Sequence, residues 1–201
     1  SHVMGLIGGG QFQDPLREGA SILFGSTHKS FFGPQGGIIL ADKEHGEPLK
    51  ERIFPAFVDN AHWNRIAATA QVLLEMQAFG KAYAKQVVAN SRALGVQLDK
   101  WGFPVKFKEL GFSRSHQLHV DTAALREKWG LTPWQLADRL ESNNLIVDAV
   151  GRIGTNEITR MGAAEDQMQT LAGLMSRAAR GEDVRKDVAE LRSQLHMSFV
   201  F

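Results

Sequence analysis

Cysteine is absent from the 201 residues, so no disulfide framework, thiolate metal site or cysteine nucleophile is available, which suits a reducing compartment. No apolar run is long enough to span a bilayer, and no signal peptide is read at the start, so neither a membrane partner nor a secretory route is expected. Neither sign of charge dominates. Lys and Arg number 23 against 22 Asp and Glu, and a formal net charge of +1 gives no electrostatic claim on nucleic acid or an anionic membrane. No metal site is expected. What is present is an ordinary globular composition, 43% hydrophobic and 22% charged, with 20 glycines, enough for one large domain or two small ones.

The order of patterns is strands and glycine loops, then long helices, then a smaller mixed unit. "SHVMGLIGGG" reads as a short strand running into a glycine loop, and its smooth continuation suggests a chain that begins in mid-domain. "ASILFGS" and "GGIILAD" are apolar runs of strand length, the type buried in mixed or parallel sheets. From Asn64 to Leu98 a 3.6-residue period predicts one long helix or a helix pair. "FPVKFKEL" and "HQLHVDT" alternate like strands. "LTPWQLADRLESNN" has Thr132 as N-cap and Pro133 at the first helical position. "LIVDAV" and "GRIGTNEIT" read as short strands, and the stretch from Glu165 to Leu195 as helix split near Gly181. The expected division is residues 1–85, part of a large domain with its linking helix, and 86–201, a small α+β domain.

One stretch carries chemistry: "GSTHKSFFGPQGGIIL", residues 25–40. Lys29 lies between two apolar runs, on neither a solvated helix face nor a basic patch. Strand ends of α/β proteins are where ligands bind. A lysine amine can bond covalently to a carbonyl cofactor as an imine, and such a site needs small residues and anion-binding groups around it. Ser26, Thr27 and His28 before Lys29, and Gly33, Gly36 and Gly37 after it, fit that need. By composition alone an ordinary polar turn fits as well.

"STHKSFFGPQGGIIL" closely resembles the cofactor-lysine motif of serine hydroxymethyltransferases, a Thr-Thr-His-Lys-Thr segment followed by Gly-Pro-(Arg or Gln)-Gly-Gly. "SHVMGLI" looks like that family's Ala-His-Val-x-Gly-Leu-Ile segment, and "GRIGTNEITRMG" resembles its Arg-Ile-Gly-Thr-x-x-(Ile/Val)-Thr-Arg strand. The three motifs stand in order and correspond to the C-terminal half of the family, in an archaeal-type form. The resemblance implies an α/β protein of fold type I, the pyridoxal-phosphate-dependent transferases, contributing part of the large mixed-sheet domain plus the small C-terminal domain.

By the same resemblance Lys29 is the lysine that binds pyridoxal 5'-phosphate as an imine, and His2 matches the histidine that stacks on the cofactor ring. Thr27 and His28 match residues packed beside the imine; Ser26 and Gln35, the latter standing where many members have arginine, complete the expected cofactor contacts. Arg152 and Arg160 both lie in the Arg-Ile-Gly-Thr segment, and one of them is expected to grip the substrate carboxylate. Many members place that arginine directly before the glycine, where this chain has Met161; Arg160, one residue earlier, is the assignment. If the segment is extended throughout, Arg152, Ile158 and Arg160 share one face. The family's glycine-rich loop that reaches a partner's phosphate is here "FPAFVDNAH", with Asn60 and His62 as candidates to replace it or to cap the next helix.

The family's aspartate for the pyridine nitrogen would fall before Ser1, so the active site is incomplete in these residues. The implied activity is interconversion of serine and glycine with one-carbon transfer to a reduced pterin, tetrahydrofolate or tetrahydromethanopterin, in a cytoplasmic homodimer or homotetramer that binds small amino acids. A threonine-type aldolase or transaldolase acting on β-hydroxy amino acids without pterin, and a non-catalytic fragment or subunit, stay open.

Overall fold

A computed structural model describes residues 2–201; Ser1, the first residue of the expected opening strand, lies outside the described residues. The chain divides into two units, one running through Ala84 and taking in Phe199–Phe201, the other Lys85–Ser198.

The first unit opens with helix α1, Met4–Gly8, not the expected strand. Val3, Leu6 and Ile7 suit either period over so short a run. Met4 and Leu6 are buried, and the helix turns off into the glycines. Strands β1, Ile22–Ser26, and β2, Gly37–Ala41, form an antiparallel hairpin in which Ile22 faces Ala41 and Ser26 faces Gly37. The two runs expected in a buried sheet are therefore each other's partner, and residues 27–36 form the hairpin's tip. Helix α2, Lys43–Ile53, follows, with Asp42 capping it through the N–H of His45.

Helix α3, Trp63–Lys100, is one uninterrupted helix of 38 residues, which settles the helix-or-pair alternative. Its first part belongs to the first unit, where Tyr83 is fully buried with its ring edge-on to Phe32 and Phe199. No described helix is long and apolar enough to cross a membrane.

The second unit is built around the last part of α3. Strands β3, Gln117–His119, and β4, Arg152–Gly154, pair antiparallel, with Leu118 opposite Ile153. Of the expected strand "FPVKFKEL" only an isolated bridge from Val105 to Val120 forms, and "LIVDAV" forms no strand. Between β3 and β4 lie α4, Thr122–Trp129, and α5, Pro133–Glu141. Thr132 is the N-cap of α5 as expected, and the structure adds a capping box in which it exchanges hydrogen bonds with Gln135. After β4 come α6, Asn156–Arg160, α7, Glu165–Ala179, and α8, Arg185–Ser193, with Gly181 at a left-handed φ of 94° between the last two. Leu94, Leu98, Leu118, Leu140, Met168 and Met175 are among the members of one continuous buried cluster that this unit closes on itself.

Candidate active site

Lys29 sits in the hairpin tip, and the tip is held by its own polar groups. The Thr27 N–H donates to the Gly36 carbonyl at 3.1 Å, extending the ladder by one step, while the Gly33 N–H donates to the Thr27 carbonyl at 2.6 Å. Thr27 is buried, and its hydroxyl donates to the Pro34 carbonyl at 2.5 Å. A Cβ on residue 33 would stand 2.8 Å from that same Thr27 carbonyl, so the turn needs glycine there. His28 is exposed, and its Nδ1 accepts the Gly36 N–H at 3.3 Å. Thr27 and His28 thus brace the loop from either side of the strand end. The Phe32 N–H closes a turn onto the Lys29 carbonyl at 3.0 Å, with Phe32 held at a φ of 46°. That conformation is strained for a bulky residue, and packing against Tyr83 offsets it.

The half-buried Lys29 carries its amine to 3.3 Å from Nε2 of His2, which stands just before α1. A lysine ammonium can only donate, so with Lys29 charged the imidazole is the acceptor and is neutral. Ser26 ends β1 opposite Gly37, and Gln35 is exposed on the far side of the turn. The structure therefore gathers Lys29, His2, Ser26, Thr27, His28 and Gln35 around one hairpin tip. Asn60 and His62 lie in the exposed segment before α3, where the His62 carbonyl accepts the N–H groups of Arg65 and Ile66.

Arg152 and Arg160 lie in the second unit, and here the extended reading of "GRIGTNEITR" fails. Only Arg152–Gly154 is strand; Asn156–Arg160 is a helical turn, so Arg152 and Arg160 do not share a strand face. The cause is buried hydrogen bonding that a two-residue alternation cannot display. Thr155 and Thr159 are fully buried. The Thr155 hydroxyl donates to the Val87 carbonyl at 3.1 Å and the Thr159 hydroxyl to the Thr155 carbonyl at 2.6 Å. Asn90 of α3 donates to the Thr159 hydroxyl and to the Ala163 carbonyl, both at 2.8 Å. Asn90 was not singled out by the sequence; a polar residue on the buried stripe of a long helix is the signal that marks it.

The two arginines differ in what holds them. Arg152 donates through Nε and Nη2 to one carboxylate oxygen of Asp148, the former at 2.8 Å. Burial raises the Asp148 carboxyl, but the Arg152 guanidinium and the Val150 N–H outweigh it and hold the group below the ordinary aspartate range. Arg160, half-buried at the end of α6, donates from Nη1 to the Ser198 carbonyl at 2.9 Å, and its own carbonyl accepts the Ser198 N–H at 2.9 Å. Met161 caps the turn.

Comparison with known proteins follows the same residues. The family model described as serine hydroxymethyltransferase matches residues 1–126. Serine hydroxymethyltransferase of Methanocella arvoryzae is 45% identical, over 96% of this chain and 49% of that protein. The Methanocaldococcus jannaschii enzyme of the same name is 42% identical over 99% of this chain and 51% of its own length. Among solved structures, L-threonine transaldolase from Pseudomonas fluorescens in its internal aldimine state matches with a TM-score of 0.82 and 25% identity, over all of this chain and 49% of that one. The chain spans about half the length of each of these.

Proposed function

From the premise that this chain belongs to the serine hydroxymethyltransferase family, with the α/β architecture of fold type I, we propose that the whole polypeptide is a pyridoxal-phosphate-dependent enzyme. Its reaction is the interconversion of serine and glycine, with the one-carbon unit passing to or from a reduced pterin. The observation that carries the reading is the Lys29 amine held 3.3 Å from the His2 imidazole at a braced hairpin tip.

The donor set fits the aldehyde end of the cofactor. A primary amine suits a carbonyl, a flat neutral imidazole suits an aromatic ring, and the Ser26 hydroxyl and Gln35 amide suit phosphate oxygens. When bound, the cofactor supplies a sink for the electrons of a broken bond at the substrate α-carbon. The chain's own contribution is placement. His2 Nε2, at hydrogen-bond distance, can take a proton from the Lys29 ammonium and leave a nucleophilic amine. Thr27 and His28 keep the loop from drifting as that proton moves. Arg160 holds the substrate carboxylate with its planar fork. Arg152, whose fork donates to the carboxylate of Asp148, is the alternative holder.

Exposed apolar side chains leading into α3, Phe57 at 85% and the helix's first residue Trp63 at 76%, support a homodimer or a multiple of one, since such a surface is costly to leave in water. A cytoplasmic location goes with this reading. The same Lys29 and Arg160 would serve cleavage of threonine-like substrates without pterin, a reaction suggested by the name of the structural neighbour; the higher identity to serine hydroxymethyltransferases favours the first reading.

An assay of the full-length polypeptide decides between them. Serine and glycine should interconvert only with a reduced pterin added. Pterin-independent cleavage of threonine with no serine turnover would assign an aldolase or transaldolase. No turnover of either by protein that binds the cofactor would leave a non-catalytic subunit.

A further inference from the structure

Resting on the reading of Lys29 as the cofactor anchor, we propose that Ser30 is a positioning residue that sets the distance between Lys29 and His2. Ser30 is fully buried, and a buried hydroxyl is tolerated where it finds partners. Both of its partners belong to the segment that carries His2. The Ser30 hydroxyl donates to the His2 carbonyl at 2.5 Å and accepts the Gly5 N–H at 3.1 Å.

The backbones meet at the same point. Gly5 lies against the peptide of Ser30 so closely that a Cβ on residue 5 would stand 2.0 Å from the Ser30 carbonyl oxygen. One side chain thus clasps two segments 28 residues apart, at the residue adjoining Lys29 on one side and at His2 itself on the other. The clasp is needed because the four-carbon stem of lysine is flexible. Without fixed backbones at both ends, a single hydrogen bond at 3.3 Å between Lys29 and His2 would not hold the amine in one place.

The role is distinct from that of Thr27 and His28, whose bonds stay inside the hairpin tip. They shape the loop; Ser30 places it against its neighbour. The family's Thr-Thr-His-Lys-Thr segment has a threonine at this position, so a second hydroxyl-bearing side chain is compatible with the site.

The test uses the cofactor-free full-length polypeptide. Pyridoxal phosphate is added, the bound fraction is trapped with borohydride at intervals, and the label on Lys29 is quantified by peptide mass mapping. Ser30→Ala should slow labelling of Lys29 about tenfold, the size of one lost hydrogen bond, and Ser30→Thr should restore the rate. In a His2→Asn background Ser30→Ala should have no further effect, because its action runs through His2. Labelling of Ser30→Ala at the wild-type rate, or an equal slowing with and without His2, would overturn the proposal. If Ser30→Ala does not fold, Ser30→Cys takes its place with the same two outcomes. Absence of any label on Lys29 in the wild-type protein is a different result and removes the functional reading itself.

Discussion

The two antiparallel strand pairs of this chain differ in composition and in surroundings: β1 and β2 are mostly apolar, whereas β3 and β4 carry one large apolar residue each. In the second unit β3 and β4 turn Leu118 and Ile153 into a closed apolar cluster. In the first unit β1 and β2 are the more apolar pair, yet Phe24 is 70% exposed and Ile39 and Leu40 are exposed too. The first part of α3 likewise exposes Ile66, Leu73 and Leu74. Burying one such side chain is worth about 1.5–3 kcal/mol, so the first unit has much of its apolar stabilisation still to gain from whatever covers it. The difference teaches where the site's order comes from. Around Lys29 the positions are fixed by hydrogen bonds from Thr27, His28 and Ser30, whereas around Arg160 they are fixed by a finished core and the buried Asn90–Thr159 pair.

The comparison breaks most visibly in stability. Leu118→Ala, in the closed cluster, should cost about 2–5 kcal/mol, while Leu74→Ala in this same 201-residue chain should stay within about 0.5 kcal/mol. Chemical denaturation of both variants reads the contrast, and equal losses would mean that the first unit is as well packed as the second. A sharper probe is Arg160→Lys. The change should weaken amino-acid binding by about 10- to 100-fold, the loss expected when a charged bidentate contact becomes a point contact, and lower stability by no more than about 1 kcal/mol through its bond to the Ser198 carbonyl. Calorimetric titration of the full-length protein with serine checks it, and near-normal affinity there with loss in Arg152→Lys would move the carboxylate to Arg152.

The smallest effect concerns the acid limb of the second unit. The Asp148 carboxyl titrates below its ordinary value when folded. A depressed folded pKa gives stability that is present above the unfolded pKa and lost as pH falls through the folded one, here below about pH 4. Asp148→Asn should remove that acid-sensitive part, by less than about 1 kcal/mol for so accessible a pair. Thermal midpoints of both proteins across the acid range should converge at the low end.

Much of this was legible in the residues. Both runs that became β1 and β2, the N-cap of α5 at Thr132 and the break at Gly181 rest on local chemistry, and local chemistry shows in sequence. The segment 152–160 did not read correctly, because its turn into helix is imposed by Thr155 and Thr159 bonding to α3, residues far away along the chain. Ser30 is inconspicuous in the sequence for the related reason that a serine after a lysine looks like any turn residue, its partners Gly5 and His2 lying far away along the chain. The exposed apolar face of the first unit is invisible in the same way, since apolar runs look alike whether or not the chain covers them.

The central claim is that Lys29, set against His2, is the anchor of an aldehyde cofactor. It is tested most directly by loading the full-length polypeptide with pyridoxal phosphate, reducing with borohydride and mapping the labelled peptide. The label is expected on Lys29. A label on Lys43 or Lys50, with Lys29 unmodified, would contradict the account.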